Sequence, residues 1–200
     1  MHDGPDKATA MWREAARLPC AAARPLIGLS DPERLPDHAR ALRATPRGGI
    51  LLLRPAAPLP LEVLRSLLRQ AHGRNIRLII SVVKRAGHVQ LADARHLPQS
   101  LLYRPYKENK PLTAAVHSQA AIMSAARSGA SCLLISPVFA TKSHPDGKPL
   151  GVVRLAALTR LAGSLGLRVY ALGGITRAAH IRRLRDTGIS GIAGITLLQA

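Results

Sequence analysis

Apolar residues arrive along this chain in short continuous runs. Between the runs lie stretches where they recur every three or four positions. Short apolar runs bounded by turn formers read as buried strands. They predict strands over residues 25–29, 49–53, 76–83, 113–117, 131–135, 168–172 and 191–198. A poorer strand is expected over 93–97, where Arg95 is an unusual core residue. Helical spacing predicts helices over 9–18, 37–44, 61–72, 119–128, 152–165 and 177–187, and a short one over 84–91. The helix over 61–72 is typical, with Leu61, Leu64, Leu67, Leu68 and Ala71 on one face. Gly129, Gly166 and Gly188 close three of the helices. Residues 1–7 are polar and read as disordered, and 101–110 are basic and irregular.

Strand and helix alternate about eight times. Continuous apolar strands joined by helices mean a parallel sheet covered on both faces. Eight of them favour a single-domain α/β fold, a (β/α)8 TIM barrel over residues 25–200, preceded by an N-terminal tail and helix over 1–24. No eighth helix follows the last strand in the sequence, so the N-terminal helix is expected to pack near that gap.

Composition narrows the partners. Of 200 residues, 47% are hydrophobic but only 2% aromatic, so the core must be aliphatic. No apolar run reaches the ~18 residues of a membrane span. Cys20 and Cys132 are too few for a disulfide framework or a metal cluster. A reduced, cytoplasmic setting is expected, with no membrane partner. The formal charge is +18, carried by 23 arginines and six lysines against 11 acids. Such a balance attracts anions, phosphorylated metabolites among them. The arginines are scattered through helical stretches, and aromatics for base stacking are scarce, which argues against nucleic acid.

Candidate chemistry gathers in the last third. The strand ending at Ile135 runs into Ser136-Pro137-Val138-Phe139-Ala140-Thr141-Lys142-Ser143-His144-Pro145, a loop of hydroxyls and cations without a carboxylate. Loops at the carboxyl ends of strands carry the sites of α/β proteins. This one suits phosphate, and His144 could contact phosphate or shuttle a proton. Gly173 and Gly174 follow a strand, and Gly191 to Ile195 repeat the pattern. Glycines let backbone N–H groups approach a phosphate. Asp31 reads as a helix cap, His117 as a hydrogen-bonded core histidine, and Cys132 as an inert buried thiol.

Residues 131–198 resemble the thiamine phosphate synthase and thiazole tautomerase superfamily. The resemblance rests on the 136–145 loop, Leu150-Gly151, Ala171-Leu172-Gly173-Gly174-Ile175 and Gly191-Ile192-Ala193. Weaker echoes are Ser30-Asp31-Pro32, residues 93–98 and Val116-His117-Ser118. The resemblance implies that the chain joins hydroxymethylpyrimidine diphosphate to thiazole phosphate, small phosphorylated metabolites of thiamine biosynthesis. It also implies that Thr141, Lys142 and Ser143, with the backbone of Gly173, Gly174, Ile192 and Ala193, hold the thiazole phosphate. Of the family's Gln-x-Arg-x-Lys only Arg54 survives, and the phosphate-loop lysine is replaced by His144. These two are the candidate catalytic residues. Mg2+ is expected from the family, but its carboxylate ligands are not found in the sequence. The alternative is a catalytically silent or tautomerase-like relative that binds a phosphate ligand. A homo-oligomer is compatible with either.

Overall fold

The computed structural model describes residues 4–82, 88–103, 105–106, 109–141 and 148–198. Eight parallel strands close into a barrel in sequence order. They are β1 (Leu26–Leu29), β2 (Ile50–Leu53), β3 (Arg77–Ser81), β4 (Ala94–Leu97), β5 (Leu112–Val116), β6 (Cys132–Ile135), β7 (Arg168–Leu172) and β8 (Gly191–Gly194). Closure comes from β8 pairing with β1, with Ala193 opposite Ile27. The helices are α1 (Gly4–Ala16), α2 (His38–Ala44), α3 (Leu61–Gly73), α4 (Gln119–Arg127), α5 (Gly151–Ser164) and α6 (Ala178–Arg182). The (β/α)8 architecture expected from the alternation is therefore the one observed.

Two helix starts are fixed by side-chain caps. Asp37 accepts from the Arg40 N–H at the start of α2, and Ser118 accepts from the Ala121 N–H at the start of α4. The apolar stripe of α3 buries Leu64, Leu67, Leu68 and Ala71 against the sheet. Each fully buried leucine stabilises the fold by about 1.5–3 kcal/mol.

Four expectations need correction. The N-terminal helix begins at Gly4, within the stretch expected to be disordered, and Pro5 sits in its first turn, where a missing N–H costs nothing. The helix expected over 177–187 breaks into the five-residue α6 and a 3-10 turn, Arg185–Thr187, ended by Gly188 with a left-handed φ of 77°. The last strand stops at Gly194, and Thr196–Leu198 form another 3-10 turn. Over 84–91 only Val89–Leu91 is described as a 3-10 turn, and residues 83–87 lie outside the described residues. Arg95 is half-buried, on the side of β4 that turns away from the cavity described below. The next segment there is the 3-10 turn Gln99–Leu101, not a full helix, which leaves room for a long cation.

Helix α1 packs against α6 and β8, as expected of the N-terminal helix. Met11, Ala15 and Leu18 enter the apolar core there. Glu14 binds Arg182 at 3.6 Å and Arg185 at 3.1 Å. The final 3-10 turn lays Leu198 over Gly28, where a Cβ would stand 2.6 Å from the leucine Cδ2.

Side chains alternate in and out along each strand. Cavity-lining residues fix the inward set as Leu29, Leu52, Ser81, His96, Ala115, Leu134, Leu172 and Ala193, one from each strand. Two residues earlier on each strand the same parity gives Ile27, Ile50, Ile79, Ala94, Thr113, Cys132, Tyr170 and Gly191. That layer plugs the barrel. Gly191 has no room for a side chain: a Cβ there would run into the Pro25 carbonyl and stand 2.7 Å from the Tyr170 Cε1. The tyrosine hydroxyl donates to the Arg24 carbonyl at 2.7 Å.

Candidate functional site

Above the plug, at the carboxyl ends of the strands, lies a cavity of about 520 Å3. Its floor is the upper of the two inward layers, the one that runs from Leu29 on β1 to Ala193 on β8. Its walls fall into two chemistries.

One wall is built by the segments after β6, β7 and β8. Glycine at 173 and 174 is required by the backbone, with φ of 98° and 70°. It is also required by space: a Cβ would stand 2.9 Å from Pro137 Cα at Gly173 and 2.5 Å from the Ala140 carbonyl at Gly174. The turn is stitched to the loop after β6, because Val138 N–H donates to Leu172 and Phe139 N–H to Gly173, at 3.0 and 3.1 Å. The far end of that loop is tied back by Leu150 N–H to Pro137 and Gly151 N–H to Val138. The Arg183 guanidinium sits 5.1 Å from the Phe139 ring centroid and adds a cation–π contact. Thr141 and Lys148, near the two ends of this loop, both line the cavity.

Gly174, Ile175, Ile195 and Thr196 also line the cavity, and their N–H groups find no protein acceptor among the described residues. Buried backbone donors are nearly always paired. Successive unpaired N–H groups at a turn are the kind of backbone feature that suits an anion. Of the sequence candidates, Thr141, Gly173, Gly174 and Ala193 come together here. Ile192 does not. Its side chain is buried in the cluster outside the barrel, and its N–H donates to the Pro25 carbonyl at 2.9 Å. The inward parity of β8 moves the available donors on to Ile195 and Thr196. Gly191, the first glycine of that repeat, belongs to the plug below. Lys142, Ser143 and His144 lie outside the described residues.

The other wall is made of side chains on β1 to β5. Arg54 follows β2, and Arg34 joins it from the β1–α2 segment. Asp31 organises both. Its Oδ1 accepts from the Glu33 and Arg34 N–H groups, and its Oδ2 lies 3.4 Å from Arg54 Nη1. Asp31 therefore caps a turn, while the cap of α2 is Asp37. Asp93 sits at the opposite, amino-terminal end of β4, where it accepts from the Leu78 N–H at 2.8 Å beside His72. It is remote from the cavity.

Two histidines complete this wall. His96 is buried, and burial and then the nearby Arg54 charge push its pKa down to about 3. His117 corrects a sequence expectation: it is exposed at the rim, with Nδ1 2.6 Å from the Ser136 carbonyl. Cys132 is buried in the plug, and burial pushes its pKa up to about 12. His96, Arg34, Lys148 and Thr196 were not singled out from the sequence. The inward parity of β4 is the signal that would have found His96.

The described lining contains no carboxylate, and no group of three metal-ligating side chains occurs among the described residues. Mg2+ takes carboxylate and phosphate oxygens. The described donor set of cations, amides and hydroxyls does not suit it. No helix among the described residues is long and apolar enough to cross a membrane.

Comparison with known proteins bears on the family and the fold. A family model described as thiamine monophosphate synthase matches residues 61–198. A thiamine-phosphate synthase of Methanoculleus marisnigri is 35% identical over 122 residues, covering 61% of this chain and 56% of that protein. One from Chloroflexus aurantiacus is 31% identical over 111 residues, covering 52% and 50%. The chain thus spans about half the length of these relatives. A solved thiamine phosphate pyrophosphorylase from Pyrococcus furiosus superposes with a TM-score of 0.66 at 22% identity, covering 88% of this chain and 87% of that one. A deoxyribose phosphate aldolase from Aeropyrum pernix superposes at 0.63 with 15% identity, covering 98% and 92%. These structural likenesses report the fold alone.

Proposed function

Because the chain belongs to the thiamine monophosphate synthase family, we propose that it joins a pyrimidine bearing a methylene diphosphate to a thiazole phosphate and releases diphosphate. The observation that carries this reading is the pairing of the two walls across one cavity: leftover backbone amides at glycine turns on one side, and Arg34 with Arg54 on the other.

The chemistry needs little from the side chains. The C–O bond between methylene and diphosphate breaks, and its electrons leave with the diphosphate. The electron-rich pyrimidine carries the resulting cation, and the thiazole nitrogen donates its lone pair to form the C–N bond. The protein must therefore orient two anions and stabilise the departing charge. Thr141, Lys148 and the amides of Gly174, Ile175, Ile195 and Thr196 hold the thiazole phosphate. Lys142, Ser143 and His144 extend this loop in the same role. Arg54, oriented by Asp31, takes the diphosphate together with Arg34, and no step is assigned to Mg2+. The setting proposed is cytoplasmic.

A second reading is a catalytically silent relative that binds the same ligands. The observation favouring it is the absence of any carboxylate from the described lining. Turnover with both substrates, with and without Mg2+, separates the two. The synthase reading expects thiamine phosphate to form and to be lost in Thr141→Ala. Binding of thiazole phosphate with no product supports the silent relative, and neither product nor binding overturns both.

A further inference from the structure

The turn that carries Gly174 and Ile175 is gripped by a side chain that does not line the cavity, His180 on α6. The Thr176 N–H points at His180 Nδ1, 3.3 Å away, and the Arg177 Nε–H points at its Nε2, 3.1 Å away. Burial, and then the Arg177 charge, push the pKa of the ring below its ordinary value. The Gly174 carbonyl hydrogen-bonds the same ring and works the other way. A neutral imidazole has one lone pair and one N–H. It can therefore accept from one of the two donors while it donates to the carbonyl.

The ring is itself held in place. Its centroid lies 5.1 Å from that of Phe139, and the Arg183 guanidinium covers Phe139. Phe139 is tied to the turn by its N–H bond to Gly173. Ring, loop and turn thus form one packed unit.

The peptide between Gly174 and Ile175 carries this grip into the cavity. In a planar trans peptide the C=O and the N–H point to opposite sides. A Gly174 carbonyl directed at His180 sends the Ile175 N–H the other way. Ile175 lines the cavity, and that N–H finds no acceptor among the described residues. Glycine has wide backbone freedom, so Gly174 alone does not fix the plane of this peptide. A partner such as the ring has to set it.

We propose that His180 is a positioning residue for the anion site: its hydrogen bonds to the 174–176 backbone aim the Ile175 N–H at a phosphate bound in the cavity. The inference rests on the anion-site reading of the glycine turn and names the side chain that sets that turn.

The test is an amide-resolved NMR titration with inorganic phosphate, at constant pH and ionic strength, of wild type, His180→Phe and His180→Gln. Phenylalanine keeps a ring against Phe139 but makes no hydrogen bond. Glutamine carries an acceptor and a donor on one amide and replaces both functions. His180→Phe should bind phosphate about five- to tenfold more weakly. Its Ile175 amide shift should shrink more than those of Ile195 and Thr196, which the ring does not touch. His180→Gln should return to within about twofold of wild type. Thermal melting confirms that both variants fold. A folded His180→Phe that binds as tightly as wild type, with the same Ile175 shift, overturns the proposal and leaves the anion site standing. Equal weakening in both variants overturns it as well, because the ring would then act by packing alone. No saturable shift at Gly174 and Ile175 in the wild type removes the anion site, and the proposal with it.

Discussion

The wall after β6 to β8 lines the cavity with residues whose N–H groups have no acceptor among the described residues, at glycines whose neighbours leave no room for a Cβ. The wall on β1 to β5 presents side chains: Arg34, Arg54, His96 and His117. A site made of backbone depends on the path of the chain, so it keeps its donors as long as its turns persist. A site made of side chains can be rebuilt one substitution at a time without disturbing the barrel. The first wall is the one where the family's motifs can be read residue by residue. In the second, of the family's three-residue signature only Arg54 remains.

The sharpest way to break this contrast is to attack the turn itself. Gly174→Ala should destabilise the protein by about 3 kcal/mol, because it needs both a left-handed backbone and space occupied by the Ala140 carbonyl. Gly151→Ala is the matched control. It has the same φ of 70° but nothing within 4 Å of its Cβ, so a cost of about 1 kcal/mol is expected. Chemical denaturation of the two variants reads the difference, and equal costs would remove the crowding argument.

Next in size is a division of labour between the walls. Arg54→Ala should weaken inorganic diphosphate binding by about tenfold or more while leaving inorganic phosphate binding within twofold. Thr141→Ala should do the reverse. Calorimetry with the two ions tests this, and one variant weakening both equally would mean that the cavity has a single anion site.

A smaller effect follows from His96. Its pKa falls from 6.5 to about 3 on folding, so between those values the unfolded chain binds a proton that the folded one refuses. Stability from the neutral ring is therefore complete above pH 6.5 and is lost as pH falls towards about 3. At pH 5 the loss is about 2 kcal/mol. Melting temperatures of wild type and His96→Gln should converge between pH 7 and 5, and parallel curves would contradict the assignment. The smallest effect concerns thiols. Cys20 is exposed and should react with a thiol reagent in the folded protein, whereas buried Cys132 should react only after denaturation.

Much of this was legible in the sequence where the signal is local. Continuous apolar runs marked seven of the eight strands, because inward and outward positions of a covered strand are both apolar, whereas β4, Ala-Arg-His-Leu, was expected only as a poorer strand. Met11, Ala15 and Leu18 announced that α1 would pack against the core. The glycine turn at 173–174 and Thr141 were visible because turn chemistry and short motifs are read along the chain. Side-chain convergence was not. Arg34 and Lys148 reach the cavity from loops whose path only the closed barrel defines. His96 was hidden in the weakest strand, and its Nδ1 partner is a hydroxyl 17 residues away. Of the neighbouring pair Ile192 and Ala193, only Ala193 lines the cavity, because adjacent strand positions face opposite sides. The end of β8 at Gly194 goes with the burial of Leu197 and Leu198 in the turn that follows.

The central claim is that the backbone amides at the glycine turns take part in an anion site beside Thr141 and Lys148. Its most direct test is an amide-resolved NMR titration with inorganic phosphate at constant ionic strength. The account predicts saturable shifts centred on the amides of Gly174, Ile175, Ile195 and Thr196, persisting in Arg54→Ala. Shifts confined to arginine-rich helices, or none at these four amides, would contradict it.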